Sequence, residues 1–112
     1  MVSPPVRMIV RWSVPAGESR PIASALQELM LSTREEPGCV GCSLSTEMSA
    51  HVSVYYVEEW ASEADLQRQL RSHRFALLAE LMERASQSPT VEFVLPHSIR
   101  GLDYASEVRG DD

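Results

Sequence analysis

A chain of 112 residues suits one domain, and 44% hydrophobic with 23% charged residues is the balance of a folded globular protein, not a disordered one. The formal net charge of −6 argues against a nucleic-acid partner, because phosphate binding needs a clustered positive surface. All ten basic residues are arginine, so Schiff-base chemistry on a lysine of this chain is excluded too.

In chain order, Val6, Met8, Val10, Trp12 and Val14 alternate with Arg7, Ile9, Arg11 and Ser13, the period of two that marks a strand. Arg7 and Arg11 interrupt this apolar run, so it reads neither as a signal-peptide core nor as a membrane span. The expectation is a cytoplasmic protein without a membrane partner, its two cysteines free thiols. Pro15-Ala16-Gly17 ends the strand. Pro21 is expected in the first turn of a helix whose inner face carries Ile22, Leu26, Leu29, Met30 and Thr33. Pro37-Gly38 stops that helix, with Gly38 suited to the left-handed conformation past a helix end.

A second strand is expected from Cys39 to Glu47 and a turn at Met48-Ser49-Ala50-His51. A third strand, rich in β-branched and aromatic residues, runs from Val52 to Trp60. Ser62-Glu63-Ala64-Asp65 has the form of a capping box that opens a second helix. That helix reads as continuous to about Ser86, with Leu66, Leu70, His73, Leu77 and Leu81 on one stripe, until Pro89 intervenes. Thr90 to Leu95 is a fourth strand.

The order β-α-β-β-α-β predicts an α+β, ferredoxin-like domain over residues 1–100, a four-stranded antiparallel sheet with both helices on one face. Residues 101–112 form a polar tail, either frayed or adding an edge strand to a neighbouring subunit. Ile9, Tyr55, Val57 and Val94 place apolar groups on the sheet face that the helices leave bare. A face of that kind needs cover, which predicts a homodimer stacked through its open sheets.

Each chemistry-bearing residue has an ordinary structural alternative. Cys39-Val40-Gly41-Cys42 has redox-motif spacing but lies in a strand, where a separation of three sends the side chains to opposite faces; two separate thiols are expected. His73 on the helix stripe points at the sheet, as a hydrogen-bonded core residue or as a base beside Tyr56 and Trp60. Trp60, Tyr56 and Trp12 are core aromatics or the wall of an aromatic pocket. Arg11 is solvated, paired to a surface glutamate, or an anion anchor. Glu58 and Glu59 are adjacent in a strand, point apart, and form no carboxylate dyad. Neither a phosphate loop nor a nucleophile elbow nor a metal-ligand cluster occurs.

Glu36-Pro37-Gly38-Cys39, Glu58-Glu59-Trp60 and Leu70-x-Ser72-His73-x-Phe75 together resemble the antibiotic biosynthesis monooxygenase domain of the dimeric α+β barrel superfamily, over residues 6–96. The resemblance implies a cofactor-independent monooxygenase that oxidises a small electron-rich aromatic, a hydroquinone or an anthrone-like ring, with dioxygen. It implies His73 as base or orienter, Trp60 and Tyr56 as wall and donor, and Arg11, Trp12 and Gln69 around the substrate. Gln69 stands where family members commonly carry a second histidine. The haem-degrading branch relies on a first-strand asparagine, and this chain has no asparagine. A non-catalytic small-molecule-binding barrel and an isomerase or lyase of the same superfamily are the alternatives.

Overall fold

The structure, a computed structural model, describes residues 4–110. Chain order is β1 (Val6–Val14), α1 (Ala16–Arg34), β2 (Cys39–Met48), β3 (Val52–Trp60), α2 (Glu63–Leu70), α3 (His73–Arg84), β4 (Thr90–Val94), β5 (Ile99–Arg100) and α4 (Asp103–Arg109). The strands form one antiparallel sheet in the order β2-β3-β1-β4-β5. The four expected strands and their ferredoxin-like order are present. The fifth is a short addition: Leu95 N–H donates to the Ser98 carbonyl (2.8 Å), and the turn folds Ile99–Arg100 back along β4.

The central strand β1 buries Val6, Met8, Val10, Trp12 and Val14 against the helices, as its alternation requires. Opposite them, the inner face of β3 carries Val52, Val54, Tyr56, Glu58 and Trp60, all buried. Ile22, Leu26, Leu29 and Thr33 of α1 close this core from above. Helix α1 begins five residues earlier than Pro21, which lies inside it and removes one intrahelical hydrogen bond without ending it.

Two further differences from the sequence reading change which residues meet. The expected second helix is two helices. Ser72 is extended (φ −84°, ψ 165°); its hydroxyl donates to the Gln69 carbonyl (2.6 Å) and accepts the Phe75 N–H (3.5 Å), so it ends α2 and caps α3. The break resets the helical phase. Leu66, Gln69 and Leu70 face inward on α2 and Phe75, Leu78 and Met82 on α3, while His73 and Leu77 are exposed.

The second difference lies in β2. A register shift between Cys39 and Gly41 sets Cys39 opposite Trp60 and Cys42 opposite Glu58, both inner positions. The extra residue of a bulge cancels the odd spacing. Both thiols therefore lie on the core side, free, with Val40 exposed.

The C-terminal residues pack onto the domain. Tyr104 and Ala105 are buried, and the Tyr104 ring lies 5.2 Å from that of Phe93. Tyr104 Oη donates to Glu63 Oε2 (2.7 Å), and Arg71 Nε donates to the Val108 carbonyl (3.1 Å), joining α4 to α2. The outer ends of the two expected units, residues 1–3 and 111–112, lie outside the described residues.

Gly38 links β2 to the start of α2. Its φ is +87°, its carbonyl accepts the Ala61 N–H (2.8 Å), and a Cβ there would stand 2.4–2.6 Å from the Asp65 carboxyl group. Asp65 is itself held by the Ser62 cap, whose Oγ accepts the Asp65 N–H (3.2 Å). Gly38→Ala is expected to lower the urea-unfolding free energy by about 1–3 kcal/mol through backbone strain and clash. An unchanged unfolding midpoint would contradict this.

Candidate functional site

On β3, the inner register places Tyr56, Glu58 and Trp60 in one row, two residues apart. Glu58 is the unusual member, a carboxyl group 1% exposed in the hydrophobic core. Three donors converge on it: Trp60 Nε1 on Oε1 (3.1 Å), and Tyr56 Oη (2.8 Å) with Gln69 Nε2 (3.4 Å) on Oε2. Two come from its own strand, and Gln69 reaches down from the last turn of α2. Gln69 Nε2 also donates to Thr33 Oγ1 on α1 (3.3 Å), and the Cys42 thiol donates to Tyr56 Oη (3.3 Å). Four elements, β3, α2, α1 and β2, thus meet at one buried polar cluster.

Arg74 completes it from outside. Its Nε donates to Gln69 Oε1 (2.9 Å) and its Nη2 to Glu36 Oε1 (2.9 Å), so the guanidinium orients the amide that faces Glu58. Among the described residues no buried side-chain nitrogen or oxygen lacks a partner. Burial holds the Glu58 carboxyl above the ordinary carboxylate range; the three donated hydrogen bonds and the Arg74 charge oppose this without cancelling it. Burial pushes the Cys42 thiol up to about 12 and raises the Tyr56 phenol as well. Both are therefore neutral donors near pH 7.

The expected site residues divide into two groups. Tyr56, Trp60 and Gln69 come together, joined through Glu58. His73 does not: it is exposed at the first position of α3, because the break at Ser72 turns it off the inner stripe. Arg11 lies on the outer sheet face, paired with Glu92 and 5.6 Å from the Tyr55 ring centroid. Trp12 is buried at the far end of the inner face, where Nε1 donates to the Gln87 carbonyl (2.8 Å). Strand alternation parts Glu58 from Glu59 but does not by itself place Glu58 in the core. The usable signal was its spacing, an acid two residues from both Tyr56 and Trp60 on an otherwise apolar strand face.

Beside Arg74, α1 and α3 leave a groove of about 360 Å³ with Leu29, Leu77, Leu78 and Leu81 in its walls and Arg74 in its lining. No group of three or more His, Cys, Asp or Glu among the described residues is arranged to hold a metal ion. No described helix is long and apolar enough to cross a membrane.

The raised Glu58 pKa has a consequence for stability. The folded state holds this proton more tightly than the unfolded chain, whose carboxyl has the ordinary value of 4.5. The contribution is complete below that pH and is lost as pH rises through the folded-state value. Glu58→Gln should therefore flatten the stability–pH curve above pH 4.5, read by urea unfolding at successive pH values. A variant curve parallel to wild type would contradict the assignment.

Residues 5–87 match the antibiotic biosynthesis monooxygenase family. Solved structures share the fold. PA3566 of Pseudomonas aeruginosa is 21% identical, with TM-score 0.71 over 88% of this chain and 99% of that one. Rv0793 of Mycobacterium tuberculosis is 23% identical, with TM-score 0.67 over 85% and 97%. A crystal structure described as an antibiotic biosynthesis monooxygenase is 22% identical, with TM-score 0.65 over 80% and 95%. No curated protein matches. With its sheet order, its helices and most of its length accounted for, this chain belongs to the antibiotic biosynthesis monooxygenase family.

Proposed function

We propose that this protein is a cofactor-independent monooxygenase of a small electron-rich aromatic, with Glu58 as the proton acceptor. The observation that carries the reading is a buried carboxyl group of raised pKa, met by Tyr56, Trp60 and Gln69 and lying behind Arg74 and the α1–α3 groove. A base poised above the carboxylate range suits proton removal near neutral pH. The reaction needs no more than that from the protein. Deprotonation of a hydroquinone or anthrone-like ring makes a carbanion or phenolate rich enough to reduce dioxygen. For an anthrone-like CH2, one oxygen atom is kept as the new C=O and the other leaves as water with the two hydrogens. Tyr56 and Trp60 donors steady negative charge in a site kept dry by the core. The substrate enters along the groove toward Arg74 and Gln69, the side chains that join the groove to Glu58.

Oxygen uptake on a panel of hydroquinones and anthrones tests this. Wild type should consume oxygen, and Glu58→Gln should lower kcat by about 10²-fold or more. His73→Ala should change it little, since His73 is exposed. Uptake unaffected in Glu58→Gln would remove the carboxyl group from its role. One observation favours a second reading, a binding protein without turnover: the cluster is sealed and every buried polar side-chain atom in it is satisfied. Tight aromatic binding with no oxygen consumption would support that reading.

The assembly we propose is a homodimer through the outer sheet face. There Ile9 pairs with Val57, Tyr55 is 39% exposed, and Arg7, Arg11, Glu59 and Glu92 surround them. Ile9 is already buried at 7%, so Tyr55 and the half-buried Val57 offer the apolar contact, and flanking groups of both charges suit self-complementary pairing. Tyr55→Glu should convert a dimer to a monomer in sedimentation at micromolar concentration. A wild type sedimenting as a monomer would sink the assembly.

A further inference from the structure

The groove between α1 and α3 has the chemistry of a binding site for one class of ligand. Its walls are apolar, and Leu77 is 47% exposed there. Its charged lining consists of Glu28, Glu80, Arg74 and Arg84. Glu80 and Arg84 pair with each other and are well solvated, with side chains 55% and 76% exposed, so they cancel and leave Glu28 and Arg74. Arg74 differs, because its side chain is only 23% exposed and two of its three nitrogens are already fixed, Nε by Gln69 and Nη2 by Glu36. Nη1 has no acceptor among the described residues and is not a buried unpaired atom, so it is open to solvent, and Arg74 is one of the residues lining the groove.

A guanidinium held this way loses little further entropy when it takes up an oxyanion, and its partial burial strengthens the bond it makes. We propose that this groove binds a small organic anion with an apolar body, an arenecarboxylate or phenolate, whose charged oxygen is held by Arg74. The leucines take the body and the guanidinium takes the charge. Glu36 competes with the ligand for the same guanidinium, so it sets the affinity. Gln69 links the bound anion to Glu58, since it accepts from Arg74 at one end of its amide and donates to Glu58 at the other. This deepens the oxygenase reading by making its substrate an anion, but the binding step needs no turnover.

The test is titration of the full chain with 2-naphthoate and with its neutral counterpart 2-naphthamide, by calorimetry, with methyl NMR to locate the ligand. Wild type should prefer the carboxylate about tenfold, the worth of one charge-assisted hydrogen bond. Arg74→Gln should erase that preference, and Glu36→Gln should strengthen carboxylate binding several-fold by removing a competing negative charge while its amide oxygen still accepts from Nη2. A merely structural Arg74–Glu36 pair predicts the opposite for Glu36→Gln, no gain. Leu77→Asp, at an exposed wall position, should abolish binding of both probes without lowering the melting temperature. If Arg74→Gln does not fold, the comparison of the two probes and Glu36→Gln still decide. Equal affinity for the two probes, no binding, or a Glu36→Gln without gain would each overturn the proposal. Anion binding without oxygen consumption would sink the oxygenase reading alone, whereas oxygen consumption without anion binding would sink the Arg74 anchor alone.

Discussion

A carboxyl group inside a hydrophobic core imposes its terms on everything around it. Taking an unpaired carboxylate out of water costs several kcal/mol even after relaxation, which is a large share of a domain's net stability. Glu58 is tolerable because its neighbours are donors: Tyr56 and Trp60 on the same strand face, and Gln69 from the helix above. Gln69 serves only while α2 ends where it does, and Thr33 on α1 and Arg74 on α3 hold the amide in place. The position of three helices over the sheet is thus tied to the satisfaction of one side chain.

The helix break follows from the same constraint. A continuous helix from Glu63 to Arg84 would carry the Leu66–Leu70 phase onward to His73 and Leu77. The stop at Ser72 turns Phe75, Leu78 and Met82 inward in their place and brings the Arg74 guanidinium onto Gln69 and Glu36. The capping hydroxyl of Ser72 therefore decides that an arginine, and not a histidine, faces the buried cluster. Polar groups usually enter a core as a fully connected network, because a half-satisfied one costs more than an apolar core. This network is complete among the described residues.

The two faces of the sheet divide the work. The inner face holds the core and the cluster. The outer face carries Ile9 and Val57 at its centre with paired charges beside them, among them Arg11 and Glu92. Arg11 is thereby a surface group rather than part of the cluster. The C-terminal helix closes the end of the molecule beyond α2, where Tyr104 packs on Phe93 and donates to Glu63. Its few large apolar residues were enough to dock it, which their sparse spacing concealed.

Alternation along β1 and β3, the glycine after α1 and the capping serine before α2 are local signals, and local backbone preference is what a sequence states directly. They give the order of elements and the ferredoxin-like sheet and set Tyr56 and Trp60 on one strand face, whereas Gln69 stands out only through the family resemblance. The partners of Glu58 were not legible. They depend on the register that aligns β3 with β2 and on the phase lost at Ser72, and neither is a property of a single segment. The bulge that brings Cys39 and Cys42 to one face is of the same kind, since only pairing with Trp60 and Glu58 reveals the extra residue. Periodicity assigned each side chain to a face of its own element; the packing of elements decided which faces met, and so which acid became buried and which histidine was left in water.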